Sequence, residues 1–131
     1  MKLIMKNKTL QVAYIVCLLL CTSCFDNVIK YDCDTHSIYR EYGFELHRFS
    51  IEYNDNIFYF AKKTGFDTHK VDLCDIYNNF EVDTSYHSGS KDSVNILPNT
   101  KYIITHYSNG DAVDQSIIIY TDSVGNFICP N

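Results

Sequence analysis

What most limits the fold of this chain is its punctuation. From Phe44 onward, short runs rich in β-branched and aromatic residues are broken by turn residues at intervals of roughly ten. Phe44–Tyr53 reads as a strand and Asn54-Asp55-Asn56 as a turn. Ile57–Lys62 follows, stopped at Thr64-Gly65, and Lys70–Cys74 alternates with Val71 and Leu73 on one face. Ile76, Asn78, Phe80, Val82, Thr84 and Tyr86 share one parity, as one long strand or two short ones around Asn78-Asn79. Ser88-Gly89-Ser90 is a loop, and Ser93–Ile96 is a strand ended by Pro98-Asn99. Lys101–Tyr107 and Gln115–Thr121 flank a loop carrying Asn109-Gly110, a hairpin signal, and Gly125-Asn126 marks the last turn. No amphipathic helical stripe interrupts the series. Seven or so strands spaced this way predict an all-β domain over 44–131, a small antiparallel β-sandwich or barrel.

The N-terminus is organised differently. Lys2, Lys6 and Lys8 precede an apolar stretch from Leu10 to Leu20, too short to span a bilayer as a helix. Thr22, Ser23 and Cys24 follow. The run Leu18-Leu19-Leu20-Cys21-Thr22-Ser23-Cys24 resembles a bacterial lipobox, with Ser23 the small residue before the cleaved bond and Cys24 the lipid acceptor. Cys21 stands where Leu is usual. The resemblance implies that a signal helix, residues 1–23, is removed and that Cys24 is acylated, which anchors the protein stably in a membrane. Residues 24–43 then read as the lipidated N-terminus and a tether. Asn, Ile, Lys and Tyr usage and the signal style resemble Bacteroidetes lipoproteins, which points to the cell envelope and the outer membrane, with the leaflet open.

A second resemblance sharpens the fold. Ile96, Pro98, Thr100 and Tyr102 match, place for place, the tyrosine corner of fibronectin type III and related immunoglobulin-like sandwiches. It implies a buried tyrosine ring whose hydroxyl bonds backbone upstream. The tryptophan usual in the first half of that family is absent, so the early strands do not match.

Chemistry-bearing residues are sparse. After Cys24, the three cysteines left are Cys33, Cys74 and Cys129. A Cys33–Cys129 bridge with Cys74 as a buried thiol is the simplest arrangement in an oxidising compartment, and Cys33–Cys74 is its rival. His36, His47, His69, His87 and His106 are scattered and read as partly exposed strand residues, so no metal is expected. Asp111 and Asp114 with Asn109 lack calcium-loop spacing and, like Asp55, Asp67, Asp72, Asp75 and Asp122, read as turn residues. No nucleophile elbow, zinc-protease motif or phosphate loop is present, so no catalytic residue and no cofactor are assigned. Asp92-Ser93-Val94 and Asp122-Ser123-Val124 resemble Bacteroidetes O-glycosylation triplets, implying Ser93 and Ser123 as acceptors.

Charge narrows the partners. Three of the eleven basic residues precede Cys24 and all sixteen acidic ones follow Ser23, so the mature part carries 8 − 16 = −8. Such a surface disfavours nucleic acid. Ten Tyr and eight Phe follow Ser23, more than so small a core takes up. Tyr53, Tyr59, Tyr77, Tyr86, Tyr107 and Tyr120 are candidates for stacking on a glycan or burying into a protein partner, against ordinary cross-strand pairing. The expectation is a lipid-anchored, non-catalytic binding or structural accessory of the envelope. An immunity-type or inhibitor lipoprotein and a small envelope hydrolase are the alternatives.

Overall fold

A computed structural model of the chain describes Gln11, Ile15 and residues 28–86, 93–107 and 114–129. Cys24, expected from the sequence as the lipid acceptor, lies outside the described residues, as do His87, Asp92 and the loop bearing Asn109, Gly110 and Asp111. In chain order the strands are β1 (Ile29–Asp32), β2 (Ser37–Arg40), β3 (Arg48–Tyr53), β4 (Asn56–Lys62), β5 (Lys70–Asp72), β6 (Phe80–Val82), β7 (Lys101–His106), β8 (Gln115–Thr121) and β9 (Phe127–Ile128). Single 3-10 turns occupy Glu41–Gly43, Ile76–Asn78 and Thr84–Tyr86.

The strands form two antiparallel sheets, ordered β1-β2-β5 and β6-β4-β3-β7-β8-β9. Their inner faces share one core, with Ile29, Ile38 and Val71 from the smaller sheet against Phe49, Ile51, Phe60, Tyr102, Ile104 and Ile119 from the larger. The molecule is therefore a small β-sandwich. Strands one, two and five form one sheet while three, seven and eight form the heart of the other. β4 lies beside β3, and β6, which follows β5 in the chain, pairs outside β4 at the edge of the larger sheet.

Local chemistry explains the elements. Asn54 and Asp55 both have positive φ, 48° and 62°, so they form a two-residue hairpin turn that matches the strand twist and sets the Tyr53–Asn56 register. Alternation in β3 turns Phe49, Ile51 and Tyr53 inward. There Phe49 stacks on Phe60 at 5.1 Å and meets Phe80 edge-on at 4.9 Å. Tyr53 stacks on Phe58 at 5.6 Å and tilts against Tyr102 at 5.1 Å. Cross-strand pairing thus absorbs many of the aromatics.

Four expectations need correction. Residues 29–40, read as tether, form β1 and β2, and Ile29 and Ile38 are buried. Strands of four residues offer one or two inward positions each, too few to show a period. Residues 44–47 are not strand, and β3 begins at Arg48, while Leu46 is fully buried and donates its N–H to Thr68 O. Residues 76–86 form two 3-10 turns around the short β6.

Ser93–Leu97 is not strand either, because its backbone donors go to tyrosine hydroxyls instead of a ladder. Val94 N–H donates to Tyr77 Oη (2.7 Å), Asn95 N–H to Tyr53 Oη (3.1 Å) and Leu97 N–H to Tyr102 Oη (2.7 Å).

At Tyr102 the buried ring's hydroxyl also donates to Asn95 O at 3.0 Å. Thr100 Oγ1 donates to Pro98 O, and Thr121 Oγ1 donates to Leu97 O while accepting from Thr100 N–H. Pro98 and Ile96 are exposed; the apolar residue that packs inward is Leu97.

Candidate functional site

The outer face of the six-stranded sheet carries the candidate site. Alternation directs Phe58 and Phe60 of β4 inward and Tyr59 outward; on β3 the same rule turns Arg48 and Ser50 outward. Register places Ser50 between Tyr59 and Thr105 and pairs Arg48 with Ala61. Tyr107, just past β7, is fixed by its N–H donating to Arg48 O at 3.2 Å. Asp83, just past β6, is fixed by its N–H donating to Tyr59 O at 2.8 Å.

These placements enclose a cleft of about 300 Å³ lined by Arg48, Phe49, Tyr59, Phe60, Asp83 and Tyr107. The Tyr59 and Tyr107 rings lie 6.0 Å apart and tilted by 35°. Tyr107 Oη and Ser50 Oγ share a hydrogen bond of 3.0 Å, so an outward-facing serine is buried beneath the phenol. Burial pushes the Tyr107 phenol above its ordinary range, so it stays neutral. The Asp83 carboxyl is held below the usual range first by hydrogen bonds from the Ser85 hydroxyl and N–H, then by the Arg48 charge. The cleft therefore offers two aromatic surfaces, a neutral hydroxyl, a cation and an anion.

Arg48 also walls a second, open groove of about 430 Å³, with His47, Ala61, Lys62, Lys63, Thr64 and Gly65. Lys62 Nζ contacts both Glu45 oxygens at 2.8 Å and Lys63 Nζ donates to Tyr77 O at 2.6 Å. Among the described residues no carboxylate comes within ion-pair distance of Arg48.

Other clusters carry less. Ligand atoms of Glu45, Asp67 and His69 lie within 4.8 Å of one another. Lys62 already holds the place a cation would take at Glu45. Asp67 Oδ1 accepts from the His69 N–H (3.0 Å) and is 2.5 Å from its Nδ1. A depression of about 480 Å³ on the smaller sheet has both lysines paired, Lys30 with Glu41 and Lys70 with Asp32, while Arg40 donates to Glu45 O and lies over the Phe44 ring. Ile118, Tyr120 and Ile128 form an exposed apolar strip at the far edge of the larger sheet.

The structure joins Cys33 to Cys129, with Cα atoms 5.5 Å apart. Cys74, expected as a buried thiol, is exposed. Val71 and Leu73 hold the inward parity, which leaves Cys74 the outward one. Its thiol is pushed up by desolvation and by Asp72 and Asp75, away from a reactive thiolate. His106, read as partly exposed, is buried, and its Nδ1 has no hydrogen-bond partner. Ser93 and Ser123 are exposed, Ser123 in a turn where Asp122 Oδ1 accepts from Val124 and Asn126 N–H.

Of the tyrosines singled out in the sequence, the fold brings Tyr59 and Tyr107 together, buries Tyr53, and leaves Tyr77 and Tyr120 exposed elsewhere. Arg48 and Asp83 were not legible as site residues. An arginine within the alternating apolar run of β3 was the one available signal. No protein-family model matches the chain, and no curated protein or solved structure matches it significantly.

Proposed function

We propose that this chain is a lipid-anchored lipoprotein of the cell envelope whose sandwich domain is a non-catalytic binding module, with the Tyr59–Tyr107 cleft as its binding site. The cleft itself carries the reading. Its volume is at the low end for small-ligand sites, and it sets aromatic walls beside a few convergent polar groups.

The protonation states suit holding a ligand better than turning one over. General acid catalysis needs a carboxyl that retains its proton near neutrality, and Asp83 is displaced the other way. The lipobox at Cys24 supports the anchor, the signal style supports an outer-membrane address, and the acidic mature part disfavours nucleic acid. From Cys24 to Ile29 the chain reaches at most about 18 Å, so the anchor holds the domain close to the bilayer.

The binding reading is tested with wild type and Tyr59→Ala on a glycan array and in pulldowns from envelope extract. The expected result is a reproducible ligand that the variant loses at unchanged fold by circular dichroism. No ligand for wild type, or equal capture by both, overturns it. For the anchor, Cys24→Ala should abolish palmitate labelling and release the protein from membranes; persistence of both would refute lipidation at Cys24.

A further inference from the structure

We propose that the cleft recognises an acidic sugar, a hexuronate-type unit whose ring lies against Tyr59 and Tyr107 and whose carboxylate pairs with Arg48. The inference rests on the binding-module reading and names its ligand class. It follows from the position of one side chain. Arg48 borders both the aromatic cleft and the adjoining groove of His47, Lys62 and Lys63. A group leaving the aromatic cleft at Arg48 therefore enters a region lined by cationic side chains, within a domain that is otherwise acidic.

The neighbouring cations are already engaged, Lys62 by Glu45 and Lys63 by the Tyr77 carbonyl. Arg48 has no carboxylate within ion-pair distance among the described residues, and its planar fork matches a carboxylate in two parallel hydrogen bonds. The other groups suit the ring. A sugar presents C–H faces to aromatic surfaces and hydroxyls around its rim. Asp83, ionised, accepts from such hydroxyls, and the neutral Tyr107 phenol both donates and accepts. The mature part's net −8 does not forbid an anion here. At physiological ionic strength charges more than about 8 Å away are largely screened, so Arg48 at contact outweighs distant carboxylates.

The test titrates the full-length lipoprotein in detergent micelles with tetragalacturonate, with neutral galactotetraose and with a tetraglutamate peptide, by calorimetry. Tetragalacturonate is expected to bind at least tenfold more tightly than either comparison, and to weaken severalfold between about 0.05 and 0.5 M salt. Arg48→Gln should lose tenfold or more for the uronide, and Tyr59→Ala should lose it as well. Lys101→Gln, on the same sheet but outside the cleft, should bind as wild type.

Equal binding of galactotetraose, or an Arg48→Gln variant that binds the uronide as wild type does, overturns the acidic-sugar inference while leaving the cleft a binding site. Equal binding of the peptide overturns it in favour of a carboxylate-bearing protein partner. No binding of any probe, together with an empty glycan array and pulldown, overturns the binding-module reading along with it.

Discussion

At the scale of single residues, His106 is the strongest outlier from what its type predicts. It faces inward on β7, and burial pushes its pKa down to about 4, with Arg40 and His47 adding in the same direction and Asp114 opposing. The folded protein therefore keeps the ring neutral while the unfolded chain protonates near pH 6.5. Stability from this residue is full above about pH 6.5 and falls as pH drops towards 4, by on the order of 3 kcal/mol over the window. The carboxylates with lowered values, Asp32, Glu45, Asp67, Asp83 and Asp122, titrate below most of that window, so the slope reports His106. Urea denaturation at a series of pH values should show this fall in wild type and a much flatter profile in His106→Gln. An equally steep variant would assign the slope elsewhere. Cys74 teaches a related lesson. Alternation alone does not put a residue inside: the parity of Val71 and Leu73 is the buried one, and Cys74 takes the outward one.

At the scale of elements, legibility followed length. β4, β7 and β8 have six or seven residues, enough alternations to reveal a buried face, and their limits lie within a residue of the sequence reading. β1 and β2 have four residues each and gave no period, and the three residues of β6 lie inside a longer run of one parity that hides their limits. Residues 93–97 misled for a different reason. Their backbone is tied down, but the ties run to phenols of Tyr77, Tyr53 and Tyr102 from three separate elements rather than to a neighbouring strand. Amides of Val94, Asn95 and Leu97 should accordingly exchange slowly, like ladder amides. Tyr77→Phe should selectively release Val94, and Tyr102→Phe should cost about 1–2 kcal/mol through the two hydrogen bonds its hydroxyl makes. Fast exchange at all three amides in wild type would contradict this account. The cleft was hidden from the sequence for the same reason that strands pair at all. Arg48, Tyr59, Asp83 and Tyr107 are far apart in the chain, and only β3–β4–β7 register with β6 at the edge brings them together.

For the whole molecule, two links matter. Cys33 and Cys129 are 96 residues apart in sequence, so their bridge removes considerable freedom from the unfolded chain. Replacing both by Ser should cost about 4–5 kcal/mol, read as a lowered urea midpoint, and an unchanged midpoint would show the bridge contributes nothing. The second link concerns orientation. Val28 O accepts from Glu41 N–H and Arg40 Nη1 donates to Glu45 O, so the chain enters β1 at the end of the sandwich where β3 begins and β4 and β7 finish. That end also holds Arg48, Lys62 and Tyr107. With a short tether after Cys24, lipid anchoring predicts that the cleft end lies nearer the bilayer than the Asn54-Asp55 hairpin. In a Cys74→Ser background, a fluorophore at Thr64→Cys should be quenched by spin-labelled lipid more strongly than one at Asp55→Cys. The reverse order would overturn the orientation.

The central claim is that this sandwich binds through the Tyr59–Tyr107 cleft, and hydrogen–deuterium exchange of the protein with and without envelope extract tests it whatever the ligand is. The account predicts new protection confined to the ends of β3, β4 and β7 around Arg48, Tyr59 and Tyr107. Protection on the β1-β2-β5 sheet alone, or no change anywhere, would contradict it.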